Sequence, residues 1–165
     1  MSRLILMTVI FISFSLPAWA EDSLESLYCS DYHSSRVKIV SDSSARKISD
    51  ANITRGGNSV IRINSSQLSG LSKNARLYAV NFSCGSLVLG HMNKGAENIY
   101  DFYDQVENAD CWAAGKLFYG GIIDKVGVGA LEEEINMLTP EQRSHFPGPA
   151  RIVSLNDSCE LRPMN

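Results

Sequence analysis

The sequence predicts an α+β domain: an antiparallel sheet in the N-terminal half, packed against helices from the C-terminal half and stapled by two disulfides. Three observations carry that expectation. Residues 36–92 contain short runs in which apolar and polar side chains alternate, joined by turn-rich links rather than by helices. From Ala96 onward apolar residues recur at helical intervals instead. Four cysteines, Cys29, Cys84, Cys111 and Cys159, lie behind a stretch with the form of a secretory leader, and an even count in that setting reads as two bridges.

The leader occupies residues 1–20. Arg3 supplies the positive start, Leu4 to Leu16 the apolar stretch, and Ala18, Trp19 and Ala20 a small-x-small cleavage site. The mature chain is therefore expected to run over 21–165 as one exported domain, periplasmic or secreted. A spanning helix needs about 20 apolar residues, more than this stretch offers before Pro17, and no later segment offers them, so no stable membrane insertion of the mature chain is expected. The formal charge of −3 becomes −4 once Arg3 leaves, which gives no support to nucleic-acid binding. Each disulfide closes a loop of tens of residues and adds about 2–4 kcal/mol by restricting the unfolded chain. Which cysteines pair is open among three connectivities.

Taking the chain in order, Ser23 offers an N-cap for one or two helical turns within residues 21–35. Residues 36–41 alternate charge with β-branched side chains, a strand with Val37 and Ile39 inward. Residues 42–58 are polar and end in Arg55, Gly56 and Gly57, so they read as a loop; residues 58–64 form a second strand with Ile61 and Ile63 on one face and Val60 and Arg62 on the other. Residues 65–74 suit a loop or one helical turn. In residues 76–92, Tyr78, Val80, Phe82 and Cys84 fall at every second position. That spacing predicts a central strand, broken at Gly85 and Ser86 into a hairpin or bulge with Cys84 at its tip.

The C-terminal half begins with an amphipathic helix over 96–109, its Ile99, Tyr100, Phe102, Tyr103 and Val106 inward and Glu97, Asp101, Asp104 and Glu107 outward. In residues 111–126 helix and hairpin compete, with Gly120 and Gly121 favouring a break. Residues 126–129 read as loop and 130–138 as a short helix. Thr139, Pro140 and Gln142 have the form of a capping box that starts another helix. Residues 151–155 return to strand pattern.

Chemistry is sparse. Cys111 followed by Trp112 resembles, over two residues only, the nucleophile context of thiol hydrolases, with His145 as the base; paired cysteines are the simpler reading. His33, His91 and His145 lack metal-ligand spacing, and neither metal nor cofactor is expected; among them His91 is best placed to lie in a pocket. Asp31 and His33 beside Cys29 form a polar cluster that a solvated loop explains equally well. The glycines match no phosphate-binding fingerprint. The favoured function is an exported interaction protein, such as an envelope inhibitor or an immunity-like protein that blocks a toxin enzyme, whose partner is another protein in the envelope or extracellular space. Candidate contacts are Trp112 and Tyr119 with the acidic Glu132, Glu133 and Glu134; Phe118 fits core packing better. The alternatives are a cell-envelope hydrolase using Cys111, and a small-ligand carrier with a pocket lined by Tyr100, Tyr103 and Trp112.

Overall fold

A computed structural model describes residues 27–162, so the leader, its cleavage site and the Ser23 cap lie outside the described residues. Three strands, β1 (Lys38–Ser41), β2 (Ser49–Ile53) and β3 (Ser59–Ile63), form a sheet in the order β1-β3-β2. Pairing between β2 and β3 is antiparallel and pairing between β1 and β3 is parallel, so the sheet is mixed where an antiparallel one was expected. The parallel pair arises because β2 is inserted within residues 42–58, which the sequence presents as loop. Its sequence, Ser-Asp-Ala-Asn-Ile, lacks the β-branched density that marks a strand, and it forms because β3 offers it an edge. In β3, Ile61 and Ile63 are buried; Val60, placed on the other face, is buried as well, and Arg62 reaches solvent.

Seven helices follow among the described residues. They are α1 (Ser65–Leu68), α2 (Lys73–Val88), α3 (His91–Lys94), α4 (Ile99–Tyr119), α5 (Lys125–Asn136), α6 (Pro140–His145) and α7 (Leu155–Ser158). The largest departure from the sequence reading is α2, which occupies most of the expected central hairpin. The Ser72 side chain caps it by accepting from the Ala75 N–H at 3.1 Å, and Glu134 in turn accepts from the Ser72 N–H at 2.9 Å. The helix is sandwiched between the sheet and α4, so Leu77 through Gly85 are all buried and the apolar pattern has no helical period. Its buried polar side chains are satisfied locally or by the sheet. Asn81 Nδ2 donates to the Leu77 carbonyl at 2.8 Å, and Ser49 Oγ donates to Ser83 Oγ at 2.8 Å.

The expected helix over 96–109 exists and runs on to Tyr119, which decides residues 111–119 in favour of helix. Asn98 caps it, accepting from Tyr100 N and Asp101 N at 2.9 and 3.0 Å. The break falls at Gly120 and Gly121, where Gly121 adopts φ 68° and ends the helix in a left-handed turn. α5 absorbs the residues 126–129 read as loop. Asp124 caps its start by accepting from Gly127 N at 2.8 Å, and a Cβ at Gly127 would lie 2.9 Å from Ile123 Cβ, so this glycine permits a close approach. The capping box at Thr139 is present, with both reciprocal bonds.

Residues 151–154 form no strand and join no sheet, and Leu155 begins α7. The Asn136 side chain replaces a neighbouring strand, donating to the Val153 carbonyl at 2.8 Å and accepting from the Val153 N–H at 2.9 Å. Residues 27–35 contain no helix; Asp31 organises them as a turn, accepting from His33 N and Ser35 N at 3.0 and 2.9 Å.

Two disulfides close the domain, Cys29 to Cys84 and Cys111 to Cys159. The first ties the N-terminal turn to α2, and the second ties α4 to the C-terminal segment. Beneath them lies a buried polar triad: the Tyr78 hydroxyl donates to Asp110 Oδ1, and Arg151 donates to both carboxylate oxygens of Asp110. Burial, reinforced by the Asp110 charge, pushes the Tyr78 phenol well above its ordinary range.

Candidate functional site

A cleft of about 430 Å³ opens between the sheet and α4. Phe82, Ser83 and Ser86 of α2 line it; Ser49, Asp50 and Ala51 contribute from β2, and Phe102, Gln105 and Val106 from α4. His91 and Met92 of α3 line it as well, together with the Pro147 to Pro149 segment.

Each of these elements is held in place by identifiable bonds. Gln105 Nε2 donates to the Gly95 carbonyl at 2.7 Å, fixing the α3–α4 connection against α4. Lys47 Nζ donates to the Ser144 and Gly148 carbonyls at 2.7 and 2.8 Å. Gly148 adopts φ 75°, and a Cβ there would come within 2.8 Å of the Phe82 ring, so the glycine lets the 147–149 segment lie directly on Phe82. The Arg151 guanidinium lies 4.7 Å from the centre of that ring, linking the cleft to the buried triad.

Two titratable groups line the cleft. Burial pushes the His91 imidazole below its usual range; Asp101 works against this and Lys94 with it. Burial raises the Asp50 carboxyl, opposed by the charges of Arg62 and Lys47. Neither group has the partners of an acid–base pair, and no group of three or more candidate metal ligands occurs among the described residues.

Around the cleft the apolar residues of the first α4 turns are exposed. Ile99 is 58% exposed, Tyr100 79%, Phe102 38% and Tyr103 55%, and neighbouring Met92 is 44%. The sequence predicts these α4 residues to face inward; only Val106 does so. The helix is rotated by the burial of its second half, where Ala109, Ala113, Ala114 and Leu117 pack in the core.

The structure disperses the candidate contacts read from sequence. Trp112 is half-buried over Gly85 of α2, where a Cβ would meet the indole at 3.2 Å, and Lys116 Nζ sits 5.2 Å from the ring centre. It is chiefly a packing residue. Tyr119 is exposed at the far end of α4, where its hydroxyl donates to the Glu160 carbonyl at 3.3 Å, and Phe118 packs against the core. The acidic run divides its work: Glu134 bonds the start of α2, Glu132 accepts from Asn156 N at 2.9 Å, and Glu133 is exposed. Cys111 is bonded to Cys159 and carries no thiol, which leaves the hydrolase arrangement without its nucleophile; His145 Nδ1 lies 2.7 Å from the Arg46 carbonyl. Of the expected carrier pocket, Tyr100, Tyr103 and Trp112 do not line the cleft; Phe102, between the two tyrosines, does.

His91 is the sequence candidate that the structure does bring into this cleft. Asp50, Met92 and Gln105 are not marked by the sequence, Asp50 because its strand has the composition of a loop and the other two because nothing in their spacing distinguishes them. Asp31 has a structural role: the Ser59 hydroxyl donates to it at 2.8 Å, and that bond holds its carboxyl below the usual range despite burial. No helix among the described residues is long and apolar enough to cross a membrane. No protein-family model, no curated protein and no solved structure matches the chain.

Proposed function

We propose that this protein is an exported interaction protein, of the kind that inhibits or neutralises another protein in the cell envelope, and that it binds through the cleft side of the domain. The observation that carries this reading is the exposed apolar face of α4 beside the cleft, with Ile99, Tyr100, Phe102 and Tyr103 in solvent within the first five residues of the helix. Aromatic side chains of this kind anchor interfaces, and contiguous apolar exposure is unfavourable on a surface that nothing covers. Two disulfides are compatible with a non-cytoplasmic location, and they hold the surrounding elements in place, which lowers the ordering cost of recognition.

The Trp112, Tyr119 and Glu132 to Glu134 surface becomes the secondary candidate, because most of these side chains already have intramolecular work. A small-ligand carrier is the second reading, favoured by the volume and apolar lining of the cleft.

Photo-crosslinking separates these surfaces. A benzophenone amino acid placed at Tyr103, at Tyr119 or at Glu133 in the exported protein is expected to give a crosslinked species in the envelope from Tyr103 alone. Crosslinking from Tyr119 and Glu133 without Tyr103 would move the interface to the other surface. Absence of protein crosslinks at all three, with a small molecule retained in native mass spectra, would favour the carrier.

A further inference from the structure

Resting on that reading, the geometry points to one contact that the partner makes: an arginine side chain seated in a second hollow beside the exposed start of α4, with its guanidinium against Tyr103 and Glu107.

The hollow is the first observation. It holds about 200 Å³ between α4 and residues 151–159, and Val106 lines both it and the cleft. Phe102 and Gln105 line the cleft while Tyr103 and Glu107 line the hollow, so the first turns of α4 form the ridge between the two. Of its lining, Leu155 and Cys159 are buried and make the floor; Tyr103 and Ile152, 55% and 68% exposed, make the rim. Small-molecule sites typically hold roughly 300–1,000 Å³, so this one has room for a single side chain. The Cys111–Cys159 bridge is part of the wall and ties α4 to the C-terminal segment, so the hollow is formed before a partner arrives.

Charge inside the hollow is the second. Glu107, Asp110 and Arg151 are the charged side chains that line it. Asp110 and Arg151 neutralise each other. Arg151 has little left to offer an anion: Nε and Nη2 donate to Asp110 and Nη1 donates to the Pro147 and Pro149 carbonyls, which takes four of its five N–H groups. Glu107 is exposed and forms no salt bridge among the described residues. The wall therefore carries one unmatched negative charge, which a cation complements and an anion would oppose.

The face that leads to the hollow is the third. Tyr100, Tyr103, Asp104 and Glu107 stand at spacings of three and four residues, so they share one side of α4, and all are exposed. A tyrosine ring beside a free carboxylate favours arginine over lysine, because a planar guanidinium stacks on the ring and pairs with the carboxylate through two parallel N–H bonds. Lysine would use its charge alone.

The test uses the exported, fully disulfide-bonded protein, labelled for NMR, and three probes: the N-acetyl methylamides of arginine, lysine and citrulline. Citrulline keeps the shape of arginine and lacks its charge. The arginine probe is expected to give saturable shifts at Tyr103, Glu107, Ile152 and Ser154, with the lysine probe about tenfold weaker and the citrulline probe giving none. Glu107→Gln is expected to weaken the arginine probe by about tenfold at unchanged melting temperature, and Glu133→Gln to leave its binding as it was.

Equal binding of the citrulline or lysine probe, undiminished binding to the Glu107→Gln protein, or no saturable shift around the hollow would overturn the assignment. Shifts at the same residues with protein concentration alone would show a second copy filling the hollow, which overturns it too. The Tyr103 crosslink reports separately on the reading beneath it: a partner captured there while the arginine probe fails would retain the binding surface and discard this contact.

Discussion

The two halves of α4 put apolar sequence to different uses. In the second half Ala109, Ala113, Ala114 and Leu117 are fully buried, Trp112 lies on Gly85 of α2, and Cys111 is tied to Cys159. In the first half Ile99, Tyr100 and Tyr103 stand in solvent beside an open cleft, with Asn98, Asp101 and Gln105 fixing the backbone around them. One helix thus carries a scaffold and, in the reading proposed above, a binding face. Small residues mark the part that packs closely, and Tyr100, Phe102 and Tyr103 crowd the part that stays in solvent. Changes in the two halves should separate stability from binding.

The largest effect is expected from Arg151→Ala. It leaves Asp110 buried without its cation, and breaking such a pair typically costs about 3–5 kcal/mol, measurable as a lower urea midpoint at unchanged slope. A loss below about 1 kcal/mol would mean that water replaces the guanidinium and that the triad is not a keystone of the scaffold. Next comes replacement of Cys111 and Cys159 together by alanine, expected to cost about 2–4 kcal/mol in the same measurement. Gly85→Leu places new atoms against the Trp112 ring, and about 1–3 kcal/mol of overpacking is expected. An unchanged melting temperature would show that the α2–α4 seam can open.

The smallest effect lies at the cleft and depends on pH. The folded pKa of His91 lies below 6.5, so the unfolded chain takes up the proton first. Stability from this group is present above 6.5 and falls as the pH drops from 6.5 toward the folded value. His91→Gln should remove that part of the decline, seen as a flatter melting temperature between pH 7.5 and 5.5. An identical profile in both proteins would show that the imidazole is hydrated.

How legible these regions are follows from the same physics. Capping signals were readable because they are local: Thr139 with Gln142 and the glycine pair at 120–121 act within a few residues. The strands at 38–41 and 59–63 were readable because one side of each run is apolar. α2 was not, because burial on all sides erases the 3.6-residue period and leaves Tyr78, Val80, Phe82 and Cys84 to mimic a strand. Its length was the available clue, since 16 residues exceed an ordinary strand. β2 was hidden for the opposite reason: its side chains say little, and its place comes from the β3 backbone. The cleft shares that difficulty. His91 could be suspected, but the lining is assembled from five separate segments, and the outward turn of Tyr100 and Tyr103 is set by what the other end of their helix buries.

The most direct test of this division is the Tyr100→Ala, Tyr103→Ala double variant, compared with the unaltered protein for both thermal unfolding and crosslinking through Met92 to the partner proposed above. With both side chains largely in solvent, a stability change within about 0.5 kcal/mol is expected together with loss of the crosslink. Full crosslinking at unchanged stability would contradict the account and return the search to the surface around Tyr119 and Glu133.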